Sequence, residues 1–558
     1  MAVKNAIAKN WSSWIRGADG VLRSDDPYGL YGSYTPILPQ ATVDTTYSLP
    51  SGNIWTATNT SSSSVAGTGT GNRTDCSVPY ALANCAGGDI IKVTKNVTYT
   101  GPWTIPNLSG SSFVYVVSTG DPGSGGTGLP AAETRVAPAD ATSMAKLQVS
   151  AAASSAAIKT TTNSHHFRFV GIEVTVGPTT TDYVNTLITT DNAETLDSQV
   201  SNQIIFDRCY VHGGTSTTAA GRRGFALSGT NIAVIDSYVS GFFEDGFDSQ
   251  AIYGYQGDGP FKIHNNFLEG ASENVMFGGS DPTIPNSVPS DITITHNYFY
   301  KPTAWLGAGH NVKNLLEFKN AQRVLVAGNT FERNWLDGQS GYSLLITPRN
   351  QGGTAPWCVT KDITIRLNLW KELGNGFNIA GEDDIETSER TERILIENNL
   401  IDVTGYGSSQ GRIFQILGGP SFLTIRHNTA FCAGTSPFTA NCDNDPLAAG
   451  FTFENNIVAN GDIGFSGTGT VGATTTLSTW FDVDAIFRKN VIIAGNAGQN
   501  PADNFFPANN AAVGFTDISG AFAANDYTLT GASAYHNAGT DGTDIGCNIA
   551  ALNAALPA

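Results

Sequence analysis

Carboxylates recur in this chain at three places where strand-like segments meet turns, and acidic groups so placed can move protons. The segment EDGFDSQ supplies Asp245 and Asp248 beside Glu244, SENVMFGGSD supplies Glu273 and Asp281, and LLEFKN supplies Glu317 with Lys319 two residues on. Acid–base cleavage of a glycosidic bond needs two carboxyl groups about 5–9 Å apart, on opposite sides of the bond. Glu317, Glu273, Asp245 and Asp248 are therefore the candidate catalytic residues. Arg349, at the end of the equivalent strand one repeat later, joins Lys319 as a binding clamp or as the charge-stabilising partner of a base. Trp305, Trp335, Trp357 and Tyr342 fall in long inter-strand stretches, where flat rings can stack on the CH faces of sugars. The structural alternatives are a surface salt bridge for Glu317 and Lys319, turn-forming carboxylates for the others, and lids over the core for the tryptophans.

These residues need a scaffold, and one Asn announces it. Asn returns near the end of an apolar strand at Asn266, Asn297, Asn329, Asn368, Asn399, Asn428, Asn456 and Asn490, at intervals of 28–39 residues. Ile172, Cys209 and Ser237 hold the same place in earlier repeats. A strand-bearing unit of this loose period is the signature of a β-solenoid, in which each coil packs only on its neighbours. The recurring Asn is read as structural, a ladder of stacked amides satisfying backbone groups at the turn. A second strand in each repeat aligns as GFALSG, NVMFGG, LLEFKN, SLLITPR, GFNIAG and IFQILGG. Alternation puts Phe318, Ile346, Phe377, Ile379 and Ile416 inside, and Met276, Glu317, Leu345, Asn378 and Gln415 in one outward column. Asn378 and Gln415 thereby join the expected ligand-contacting set. Strand spacing gives a rod of roughly 60–70 Å.

The expected fold class is all-β, a parallel β-helix in three parts: a leader, arm and linker over 1–75, the solenoid over 76–494, and a C-terminal coil and cap over 495–558. The leader opens on Ile7, Trp11, Trp14 and Ile15 and ends in a Ser/Thr/Gly run; it is read as an attachment segment or as an arm packed along the rod. Of 558 residues, 62 are Gly and 3 are Met, a balance suited to strands and tight turns. The formal net charge is −18, from 30 basic and 48 acidic residues. No Lys/Arg cluster offers to replace the counterions of DNA or RNA, so nucleic acid is not an expected partner. A polyanionic substrate needs a basic patch or a bridging cation, whereas a neutral glycan meets no such barrier. No stretch is long and apolar enough for a membrane span. The run GEDDIETSE (Glu382, Asp383, Asp384, Glu386) could hold Ca²⁺ but lacks a recognised ligand spacing, so it is read as a solvated loop and no cofactor is assigned. Cys76 with Cys85, and Cys432 with Cys442, could each close a short disulfide loop or stay as thiols. The N-terminus lacks the apolar run of a secretory signal. Either such a signal has been removed, or the protein leaves the cell by lysis, as virion components do; the sequence leans to the second.

From about residue 76 onward the chain resembles the right-handed parallel β-helix superfamily, the pectate-lyase-like fold. The phrases HHFRFVGIEV, RRGFALSG, SENVMFGGSD, GQSGYSLLITPRNQGGTAPW and DYTLTGASAYHNAGTDGTDIG resemble a group of bacterial β-helix repeat proteins. The resemblance implies a fold that carries lyases, hydrolases, tailspikes and adhesins. Its catalytic signatures depart here. None of the eight His has Gly on both sides, as the polygalacturonase-like members require, and Asp383-Asp384 stands in the acidic run. Arg349 is the nearest match to a pectate lyase base, but its surroundings differ from that family's motif. The expected function is recognition of an extracellular polysaccharide, with or without depolymerisation, by a tailspike-type virion protein assembled as a homotrimer. The alternatives are a secreted polysaccharide lyase or glycoside hydrolase, and a non-catalytic adhesive rod.

Overall fold

The computed structural model describes residues 15–16, 22–23, 35–149, 156–179 and 182–557. Three long parallel sheets run the length of the molecule: sheet I with 15 strands, sheet II with 14 and sheet III with 12. Each coil visits them in turn, as in Phe261–His264 (I), Phe267–Gly270 (II) and Glu273–Phe277 (III). The chain is a right-handed parallel β-helix. Its interior is a column of Val, Ile, Leu and Phe from all three sheets, with like stacked on like: Phe331 lies flat on Trp370 with ring centroids 3.6 Å apart.

The short turn from sheet I to sheet II carries the Asn ladder. Asn266 donates its side-chain amide to Asn297 Oδ1 (3.0 Å), Asn297 to Asn329 Oδ1 (3.0 Å), and the pattern climbs to Asn490. Each Oδ1 also accepts the backbone N–H of the Asn below, so the turn leaves no ladder amide unpaired. The sequence reading stopped at Asn490, but Asn504 forms the last step, accepting from Asn490 at 2.9 Å. Downward the ladder continues through Ser237, which accepts from the Cys209 N–H. All seven cysteines are free, which resolves the two candidate pairs as thiols.

Both ends depart from expectation. Residues 54–57 already pair in register with Ile90–Val93, and Arg73–Thr74 pairs on their far side, so sheet I starts before residue 76. The Ser/Thr/Gly run between them folds back through paired Thr68 and Thr74 backbones rather than hanging as a linker. Residues 35–49 strap the outer face of sheet I. Ile37 N–H donates to Asp362, Gln40 N–H to Asp291, and Lys262 donates to Thr45 Oγ1. Tyr47 lies beneath both Arg168 and Arg208, which are buried against Asp207 and Asp121 at 2.8–3.0 Å. The amphipathic opening at Ile7, Trp11 and Trp14, expected as part of an attachment segment, lies outside the described residues.

At the other end, the last strand of sheet III (Phe465–Gly467) is covered by the helix Ala473–Trp480. The segment expected as the C-terminal cap ends in a helix, Ile549–Ala555, that does not sit over that end. Residues 513–552 run back along the flank of sheet II, packing Val513, Phe515, Tyr527 and Ile545 on Leu400, Ile457 and Val491. Among the described residues no helix is long and apolar enough to cross a membrane.

Candidate functional site

Register places the expected column as the alternation requires. Met276 pairs with Glu317, Glu317 with Leu345, Leu345 with Asn378, and Asn378 with Gln415 on sheet III. Glu273 reaches the same face by a different route. Where the chain turns into sheet III, two consecutive residues face inward, as Leu315 and Leu316 do, and the residue before them points out. Glu273 occupies that preceding position, with Gln250 one rung below and Asn314 one rung above.

A groove of about 590 Å³ lies over this face and gathers Asp248, Glu273, Glu317, Lys319, Arg349 and Asn378. Glu273 and Glu317 form its floor and are fully buried. Lys319 Nζ stands 3.1 Å from Glu317 Oε1, and that carboxylate raises the lysine's proton affinity. Glu273 accepts from Gln250 Nε2 at 2.7 Å. Burial, reinforced by the nearby charges of Glu317 and Asp248, pushes its carboxyl up to about 8. Three oxygens of this floor are buried with neither a hydrogen-bond nor an ion-pair partner, Glu273 Oε1, Glu317 Oε2 and Asn378 Oδ1, and Asn314 Oδ1, next to Glu273 but outside the groove lining, is a fourth. The asparagine oxygens only accept, whereas a protonated Glu273 can also donate.

The backbone beneath Glu273 is pinned by a buried lysine that the sequence reading did not single out. Lys301 Nζ donates to the carbonyls of Gly270, Ala271 and Ser272 and to Asn274 Oδ1, at 2.7–3.2 Å. Burial pulls its proton affinity down, while four acceptor oxygens around one nitrogen favour the ammonium. The groove also contains Lys313, paired with Asp248 at 2.5 Å, together with Gln339 and Ser340. These three stand in loops before strands, where neither periodicity nor motif marks them.

Other expected site residues go elsewhere. Asp245 pairs with His310 at 2.7 Å and does not line the groove, and Gln415 lies one rung beyond it. Trp305, Trp335 and Tyr342 are buried rather than displayed on loops, and Tyr342 opens a strand of sheet III. Trp305 and Trp335 belong to a small core with Ala271 and Val312 that props the groove wall. Trp357 is half-buried and donates to the Ser287 carbonyl. The acidic run is not a uniformly solvated loop. Asp383 is buried and holds Arg349 at 2.8 Å and the Asn350 N–H at 2.7 Å, while Asp384 stays exposed. These carboxylates do not converge. Among the described residues no group of three or more His, Cys, Asp or Glu is arranged to hold a metal ion. In the run considered for Ca²⁺, Asp383 and Asp384 are paired with Arg349 and Glu382 with Arg390.

A larger cavity, about 1230 Å³, lies on the far side between the strap, residues 132–135 and Pro557. Its polar groups are spent on holding those segments: Arg135 on Asn265 and His296, Lys262 on Thr45, Asn265 on Asp236. None of the residues lining it has a buried polar atom left without a partner, which separates it from the groove.

No protein-family model matches the chain, and no curated protein matches it. Among solved structures, it is similar to the Dettilon tailspike protein at 14% identity and a TM-score of 0.39, covering 77% of this chain and 63% of that one. It is similar to the PL6 family alginate lyase AlyGC at 12% identity and a TM-score of 0.47, covering 79% and 52%. Pectate lyase Pel9A aligns at 13% identity and a TM-score of 0.34, over 92% and 98%. The chain thus spans between half and two thirds of the first two. Fold and groove together define a parallel β-helix with a polar cleft on sheet III.

Proposed function

We propose that this groove binds a polysaccharide laid along the rod, outside the cell, and that Glu273 and Glu317 are the acid–base pair that cuts it. The observation that carries the reading is the row of buried side-chain oxygens without partners along the groove floor, on Glu273, Glu317 and Asn378. A buried polar atom left unpaired costs about 1–3 kcal/mol, and the hydroxyls of a glycan are donors that remove that cost. Rungs about 4.8 Å apart present these groups at regular steps, which suits a repeating chain. Two environments split the carboxyl pair. Glu273, buried beside like charges, keeps its proton and can donate it to a leaving oxygen; Glu317, 3.1 Å from the Lys319 ammonium, is the second carboxyl group of the pair. Lys301 and the Trp305–Trp335 cluster hold the backbone and wall in place.

Purified protein tested against a glycan panel, for retention and for release of new chain ends, decides the matter. Glu273→Gln is expected to abolish release while binding persists, and Asn378→Ala to weaken binding. Unchanged retention and release in Glu317→Gln, Glu273→Gln and Asp248→Asn would sink the assignment. Tailspike-type use on a virion belongs to the same reading, and light scattering tests its homotrimer: a mass of three chains supports it and a mass of one opposes it.

A further inference from the structure

We infer that the groove takes a glycan free of carboxylate and sulfate groups; this rests on the groove being the glycan site. Three cations line it, Lys313, Lys319 and Arg349, against six carboxyl groups, Asp248, Glu273, Glu317, Glu382, Asp383 and Asp384, of which Glu273 keeps its proton. Each cation is already engaged. Lys313 Nζ is 2.5 Å from Asp248, Lys319 Nζ is 3.1 Å from Glu317, and Arg349 Nη1 is 2.8 Å from Asp383 and 2.9 Å from Asp384. Asp383 is sealed at 0% exposure, so an incoming anion cannot readily displace it from Arg349. An acidic sugar would therefore meet, at each cation, a carboxylate already paired with it.

The floor discriminates in the same direction. Its unpartnered acceptors, Glu317 Oε2 and Asn378 Oδ1, are satisfied by hydroxyls and opposed by carboxylates or sulfates. The next cations along sheet III have uncharged partners: Arg412 lies over Phe438, Arg222 lies over Phe247 and donates to the Asp248 carbonyl, and Arg223 lies over Tyr253 and is bonded to Gln250 and Asn185. Asp191 shares that lower end. The chain's formal charge of −18 adds long-range repulsion of polyanions.

The substrate class fixes the reaction type. Elimination needs an acid or ester carbonyl to acidify the proton beside it, and a sugar that carries only hydroxyls has none, so the bond of such a glycan is cut by hydrolysis. Water adds to the anomeric carbon as the glycosidic C–O bond breaks. The proton of Glu273 passes to the leaving oxygen, and the water's proton passes to Glu317.

Matched polymers test this: polygalacturonate, alginate and hyaluronan against their carboxyl-reduced forms, beside neutral glucans, galactans, mannans and xylans. Retention of a neutral or reduced polymer is expected, with the acidic counterpart weaker by roughly tenfold to a hundredfold and little loss as salt rises. An acidic polymer bound more tightly than its reduced form, losing affinity with salt and in Arg349→Ala, overturns the inference and leaves the groove as the glycan site. Absence of retention for every polymer, or retention unmoved by Asn378→Ala and Glu317→Gln, overturns the glycan site itself and the inference with it.

Discussion

Glu273→Gln should make the protein more stable, and increasingly so as pH rises. The ordinary value of a glutamate is 4.5, and in the fold Glu273 sits near 8. Between those values the native state keeps a proton that the unfolded chain has released. Wild-type stability therefore falls as pH climbs from about 4.5 to about 8, and the loss is complete above that. A shift of this size corresponds to about 5 kcal/mol as an upper bound. Relaxation around the ionised carboxylate returns part of that penalty, so a gain of roughly 2–4 kcal/mol for the variant above pH 8 is the working figure. The neutral amide can still accept from Gln250, which protects the comparison from a lost hydrogen bond. For a chain of this length the gain amounts to roughly 2–3 °C in Tm. Denaturant melts of both proteins at pH 4, 6, 8 and 9 should show the difference opening across that window. A difference that stays flat with pH would refute the account of a buried, proton-retaining Glu273.

Lys301→Met should cost roughly 3–5 kcal/mol in denaturant melts, since it orphans three carbonyls and Asn274 Oδ1 at once. Lys301→Arg should not restore that stability, because a planar guanidinium is too wide for the pocket. In the ladder, Asn329→Ala breaks bonds to Asn297, Asn368 and Ile294 together and should cost roughly 2–4 kcal/mol by the same measurement. Arg208→Met leaves Asp121 and Asp207 short of a buried partner; residues 35–53 should then become cleavable by protease at concentrations the native protein resists.

The sequence alone was enough for the solenoid, the ladder and the outward column. Those features follow from a period near 30 and an alternation of two, which are local properties that neighbouring coils merely repeat. Met276, Glu317, Leu345, Asn378 and Gln415 fell into register because each coil copies the one below. Glu273 was found as an acidic residue, yet its outward direction depends on the corner into sheet III, where strict alternation fails. Trp305, Trp335 and Tyr342 were read as displayed because they follow no strand period, but packing between successive loops buries them. Asp383 looked like part of a charged, solvated run until Arg349, 34 residues earlier, was seen to draw it inward. Loops, straps and buried charges answer to partners far away in the chain. Only the assembled coil sets those distances, so tertiary structure decided which carboxylates share a groove and which merely hold it together.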